Sequence, residues 1–429
     1  MRELLAKLVH GLISRREFAT RMLGLGFGTM TVESILDTPA FSQGKKRSSS
    51  GEPGGAFRVE PFSGQTPYEQ WMAREGVPVH TGYYIRDVRA LDLKPWPRLG
   101  VRGGLIDLHG AEGTDGAYLC ELAPGQATPP QRYLFEEGIY VLDGEGETFV
   151  WHHGGSKRSF RWQKGSVFSP PLNVWRQHFN RGQTPARLLS VNDLPVVLDL
   201  FHNAEFVFDN NFVFRDRYNN EPDYFTLNNS KLRGAGSAAT FGEAERGLVH
   251  FLDTGFVPDL NRVQLYEARS RGLGNKSVEM VLSDNSMQVH VSEFEVGTYK
   301  RAHRHGPGSH VLVLGGIGYT LMWTEVPQYS GAPQQVRVDW TEGSLFVPPD
   351  RWFHQHFNSG GTAAKYMATT WIGGKYFVKA LGGGGRTHRL NNVSFRKGGN
   401  MIDYPDEDPM IRAMFDQELT KSGVNTRMP

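Results

Sequence analysis

Cysteine is almost missing from this chain: Cys120 stands alone among 429 residues. No intrachain disulfide can staple the fold, so its stability must come from burial. With no partner beside it, Cys120 reads as a small buried hydrophobe and not as a reactive thiol. Long apolar runs are also missing, and no segment beyond the N-terminal forty-odd residues could span a bilayer. Charge of one sign is scarce as well. Lys plus Arg number 47 against 45 Asp plus Glu, a formal net charge of +2, and no basic run or basic helix accumulates, so the charge pattern gives nucleic acid no footing. What the chain does have is turn formers, 51 Gly and 24 Pro, beside 12% aromatic residues. That balance suits short strands and tight turns better than helices or disorder. The length allows a large core and suggests two domains with extensions.

The chain repeats itself. "GSVFSPPLNVWRQHFNRG" (Gly165 to Gly182) matches "GSLFVPPDRWFHQHFNSG" (Gly343 to Gly360), and "GQATPPQRYLFEEGIYVLDGEGETFVW" (Gly125 to Trp151) matches the stretch from Gly297 to Trp323 without a gap. Two copies of one unit make a tandem architecture. The connection between the two motifs is six residues longer in the second copy (Thr324 to Trp340), an insertion expected in a surface loop. Val311–Leu314, Tyr319–Trp323 and Ser344–Val347 are short runs of β-favouring side chains between turn formers, which predicts a small antiparallel sandwich or barrel per copy. Near the C-terminus, Asp408-Pro409 has the form of an N-cap followed by proline at the first helical position. Ile411, Met414, Phe415 and Leu419 follow at helical spacing and Gly423 closes the segment, predicting a helix packed on a barrel.

The N-terminal segment reads as an address. Ser14-Arg15-Arg16-Glu17-Phe18, then a mildly apolar glycine-rich stretch from Met22 to Val32, resembles the bacterial twin-arginine export signal. Ala40-Phe41-Ser42 supplies the small residues of a cleavage site near Gln43. The expected organisation is a signal peptide over 1–42, a flexible linker over 43–55, an N-terminal barrel over 56–215, a C-terminal barrel over 216–385 and an extension with a helix over 386–429. The mature protein is expected in the periplasm or outside the cell, without a membrane anchor.

Gly297, His303-Arg304-His305 and Gly316 resemble the first cupin motif, and Gly343, Pro349, His354 and Asn358 the second. Together with the repeat, these motifs resemble the bicupin family over roughly residues 115–185 and 290–372. The resemblance implies an all-β fold of two tandem double-stranded β-helix (jelly-roll) barrels, here with a C-terminal helical extension, and a metal inside one of them. It also implies association into homo-oligomers.

The residues support a metal on their own terms. Side chains alternate along a strand, so His303 and His305 are expected to face one way, as are His354 and His356. Two imidazoles from one strand and a third from another can take three adjacent positions around a divalent ion; Fe, Mn, Ni, Cu and Zn all suit such donors. The first copy is an internal control. It has Gln131, Tyr133 and Arg176 where the second has His303, His305 and His354, so it is read as metal-free. His178 and Asn180 persist at the places of His356 and Asn358. A histidine shared by both copies is more readily structural, which makes His354 the better ligand. The glutamate that metal-binding cupins usually carry after the histidine pair has no counterpart in the second copy, where Gly308 and Ser309 stand, with His310 next. Either His310 completes a four-histidine site or three histidines serve alone.

Within that family, "AHRHGPGSHVLVLGGIGYT" looks most like gentisate 1,2-dioxygenase and related ring-cleaving dioxygenases. That resemblance implies Fe(II), with Mn(II) as the alternative, O2, and a small chelating aromatic or hydroxy-acid substrate. Arg301, two residues before His303, either pairs with a substrate carboxylate or faces solvent at the barrel mouth. Two further readings are carried forward: a Mn-dependent decarboxylase or oxidase of the oxalate decarboxylase type, and a cupin that binds a metal or small ligand without turnover. Trp323, Trp371, Gln288 and His290 are expected to belong to core packing.

Overall fold

Burial separates two kinds of strand. In Glu145–Trp151 buried residues alternate with partly exposed ones, while Glu137–Asp143 and Ala364–Thr370 are buried along almost their whole length. The first pattern belongs to a strand with one wet face, the second to a strand covered on both. The computed structural model describes residues 59–111, 113–226, 231–233, 251–306, 308–324, 335–371 and 393–428. The expected export signal and linker lie outside these residues, as does most of the longer connection (325–334). No helix among the described residues is long and apolar enough to cross a membrane.

The contacts divide the chain into two units, one ending at Trp71 and the other beginning at Met72. In the first, Thr66 and Glu69 cap each other: the Thr66 N–H donates to Glu69 Oε2 (2.6 Å) and the Glu69 N–H to Thr66 Oγ1 (3.2 Å). This reciprocal box starts the helix Pro67–Arg74.

The second unit holds two equivalent sets of sheets, one eight-stranded and one nine-stranded, each accompanied by a three-stranded sheet. In the first set Ala186–Asn192 lies between Gly116–Leu122 and Glu137–Asp143, and Trp175–Asn180 pairs with Glu145–Trp151. In the second, Ala364–Thr370 lies between Gln288–Phe294 and His310–Gly315, and Phe353–Asn358 pairs with Gly318–Trp323. These are tandem jelly-roll barrels, the all-β architecture expected from the repeat. Each barrel also lends a strand to its sister. Tyr84–Ile85 pairs with Leu345–Phe346 in the second, and Phe256–Val257 pairs with Val167–Phe168 in the first.

Shared chemistry keeps the copies alike. Gly146 and Gly318 lie under Trp162 and Trp340, where a Cβ would come within 2.3 Å and 2.4 Å of the indole. Each indole N–H donates to a threonine hydroxyl, Thr148 at 2.9 Å and Thr320 at 3.0 Å. One core runs between the barrels, joining Leu119, Val191 and Leu142 of the first to Met280, Val289 and Met367 of the second. The C-terminal helix, Pro409–Ser422, is capped as expected: Asp408 accepts from the Met410 N–H and Gly423 ends it at φ 66°. Its Phe415 and Leu419 pack on Tyr299, Tyr319, Leu321 and Phe357, on the outside of the second barrel. Cys120 is buried, and desolvation pushes its thiol up to about 12.

Candidate metal centre

The segment carrying His303 and His305 is not a regular strand. Isolated bridges join Tyr299 to Phe357 and His303 to His354, so four steps on one side match three on the other. The extra residue is a bulge, and a bulge moves later side chains to the opposite face. Arg301 therefore does not share the face of His303. Its guanidinium lies over Tyr404 (5.3 Å) and 3.7 Å from Asp403, and it is not among the residues lining the barrel cavity. Lys300 enters instead. Its Nζ donates to Ser292 Oγ (2.6 Å) and Tyr366 Oη (2.7 Å). No signal short of the bulge itself separates Arg301 from Lys300 in the sequence.

The structure brings His303, His305 and His354 together. Each offers one ring nitrogen, and these nitrogens all lie within 4.8 Å of one another. The ring centroids are 4.3 to 5.6 Å apart. His303 Nδ1 faces the Arg301 carbonyl at 3.1 Å and His354 Nδ1 the Trp352 carbonyl at 3.2 Å. A carbonyl accepts only, so each Nδ1 carries the proton and each Nε2 keeps its lone pair, the tautomer a metal needs. Burial, reinforced by Arg271 and the neighbouring imidazoles, holds His303 and His354 well below the usual histidine value. Both rings are thus neutral near pH 7, as ligands must be. Bond lengths of about 2 Å to imidazole put two donors of one ion no more than about 4 Å apart, so this donor set could hold one divalent ion once the rings draw in around it.

His310 does not join them. It lies on His310–Gly315, where Ser309 and Val311 face the cavity, so alternation turns its ring the other way, to the side of Leu312 and the core between the barrels. There burial pushes it down to about 3. His356 reaches the cavity wall, but its Nδ1 is 2.8 Å from Thr320 Oγ1. The Trp340 indole donates to the same oxygen, so Nδ1 is tied into one bonded row with Thr320 and Trp340. His178 repeats this at 2.8 Å from Thr148. The histidine shared by both copies thus belongs to a Trp–Thr–His brace in each barrel.

In the first barrel, side chains fill the equivalent positions. Arg176 Nη1 lies 3.1 Å from Glu137 Oε1 with both residues buried, and its guanidinium stacks 3.8 Å above the Tyr133 ring. Glu137 also accepts from Tyr133, from Ser190 (2.7 Å) and from Tyr118 (2.9 Å).

The cavity of the second barrel has a volume of about 80 Å³ and adjoins the three histidines. Gln288 and His290, expected in the core, stand on its wall, while Trp371 lies in the core between the barrels and Trp323 stacks on Phe353. No protein-family model matches this chain, and no curated protein does. Among solved structures it is similar to vicilin from Corylus avellana (hazelnut), with 11% identity over 68% of this chain and 85% of that one, at a TM-score of 0.42. It is similar to oxalate decarboxylase from Bacillus subtilis at 10% identity, 69% and 78% coverage and a TM-score of 0.43. The salicylate 1,2-dioxygenase of Pseudoaminobacter salicylatoxidans, solved as adducts with gentisate, gives 14%, 60%, 68% and 0.40. The architecture stands on the chain's own strand pairing and not on these distant likenesses.

Proposed function

We propose that this chain is a bicupin oxidoreductase whose C-terminal barrel holds a divalent metal, Fe(II) before Mn(II), on His303, His305 and His354 and acts on a small chelating acid. The observation that carries this reading is the group of three histidines, two of them tautomer-fixed, opening on a cavity that contains Arg271 and Lys300. Such an ion, when bound, supplies Lewis acidity and a common anchor for substrate and O2. The chain's own residues do the rest. The backbone carbonyls of Arg301 and Trp352 orient the imidazoles of His303 and His354, Arg271 attracts the anion, and Lys300 offers it an N–H donor. The barrel wall shields the site from bulk water. Export of the folded chain by a twin-arginine route would let a weakly held ion be loaded in the cytoplasm, before copper or zinc could outcompete it.

A decarboxylase reading has one observation in its favour: Glu279 lies on the cavity wall, bonded to Gln288, where a carboxylate could move a proton. Metal content and gas exchange separate the two. Anaerobically purified protein should bind about one equivalent of metal, and His303→Ala and His354→Ala should each lose it. Acid-dependent O2 uptake supports the oxidoreductase; CO2 release without net O2 uptake supports the decarboxylase. Metal retained in both variants would remove the basis for either.

A further inference from the structure

The wall of this cavity is organised in rows. Residues paired directly across a sheet point to the same side, so Ser277, Ser292 and Tyr366 form one row and Glu279, His290 and Ala368 the next. A third row holds Gln288 and Thr370. Most of these groups are polar, which is unusual for the inside of a barrel. The apolar lining reduces to Val311, Pro348, Ala368 and the ring of Tyr366, so no pair of aromatic faces is available to sandwich a planar ring.

Charge and room narrow the ligand further. Lys300 is buried, and desolvation together with the charge of Arg271 pushes its ammonium well below the usual lysine value. Its Nζ is bonded to Ser292 and Tyr366, and an anion beside it would hold the ammonium form and take its third N–H. Arg271 lines the same cavity, and its charge bears on Lys300, His290 and His356. Against these two basic side chains stands one carboxylate, Glu279, engaged by Gln288. The volume of about 80 Å³ is roughly half the ~150 Å³ of an apolar cavity that accepts benzene.

We infer that the site selects a small aliphatic acid over an aromatic one, its carboxylate seated on Lys300 and Arg271 and a second oxygen, hydroxyl, oxo or carboxylate, turned toward His303, His305 and His354. This rests on the metal-site reading given above and specifies its substrate class. Lys300 is then a specificity-determining residue, held in place by Ser292 and Tyr366. In the first barrel Thr128 occupies the equivalent position and donates no charge; its hydroxyl accepts from the His178 N–H at 3.0 Å.

The test uses the full chain loaded anaerobically with Co(II), whose visible spectrum reports on its ligands. Cobalt stoichiometry is measured first, then titrations with glycolate, lactate and malonate, with salicylate and benzoate, and with the neutral malonamide. Glycolate, lactate or malonate should perturb the cobalt spectrum at concentrations at least tenfold lower than salicylate or benzoate require, and malonamide should have no effect. Lys300→Gln should weaken the aliphatic acids at least tenfold while keeping its cobalt. Equal or tighter binding of salicylate by the unmodified protein overturns the inference, and so does a cobalt-loaded Lys300→Gln protein with unchanged affinity. A chain that takes up no cobalt fails at the first step, which counts against the metal reading and is visible before any acid is added.

Discussion

At the scale of single residues, the two barrels differ by a substitution of one kind of cross-link for another. The second gathers three imidazoles around a space; the first fills that space with Arg176 and Glu137. Removing one partner of a buried pair strands the other charge, at a cost of about 3–5 kcal/mol, whereas replacing both costs far less. Arg176→Met should therefore lower stability by an amount in that range, and Arg176→Met combined with Glu137→Gln should recover at least ~2 kcal/mol of it. Urea denaturation midpoints give both values. A single variant that costs no more than the ~0.5 kcal/mol of an ordinary surface change would mean that the pair does not fill the first barrel in the way its geometry indicates.

At the scale of elements, what was legible followed regular periods. The Gly–His spacing and the second motif placed His303, His305 and His354 because motif spacing survives a bulge, and the Asp408, Pro409 and Gly423 signals bounded the C-terminal helix because caps are local. Arg301 and His310 were each left between two readings, for different reasons. Arg301 was placed by counting in twos, and one extra residue before His303 changed the parity; His310 was weighed by its nearness to the missing glutamate, and a regular strand beginning at His310 sets its direction instead. The lent strands Tyr84–Ile85 and Phe256–Val257 are two residues long and leave no pattern to read. Nor does the sequence reveal that the extension braces the histidine group. Met401 bridges to His303, the Ile402 N–H donates to the Ala302 carbonyl (2.8 Å), and the Arg304 N–H donates to the Asn400 carbonyl (3.0 Å). These bonds fix the backbone on both sides of His303. Ile402→Pro deletes one of them, and because partners behind a ligand are worth 10- to 100-fold in affinity, metal binding should weaken roughly tenfold with the circular dichroism of the barrels retained. Unchanged affinity in a competition titration would show that the extension only covers the barrel.

At the scale of the molecule, the question is whether the two barrels are separate folding units. Their sequences repeat, and each has a complete set of strands, which on its own suggests two transitions. The packing argues otherwise. Leu119 and Met280 are both almost fully buried in the core that the barrels share. The Arg217 side chain is held by Glu136 of the first barrel and the Asp284 carbonyl of the second, and the Ser286 N–H donates to the same carboxylate at 2.6 Å. Separating the barrels would expose that core and break the exchanged strand pairs together, so a partly unfolded state has little to gain. Each large-to-small change in such a core costs about 2–5 kcal/mol. Leu119→Ala, in the first barrel, and Met280→Ala, in the second, should each shift one common unfolding transition by an amount in that range, and bound metal should be released within it in both. If Leu119→Ala moved an early transition while metal stayed bound until a later one, the barrels would be independent folding units in spite of the core they share.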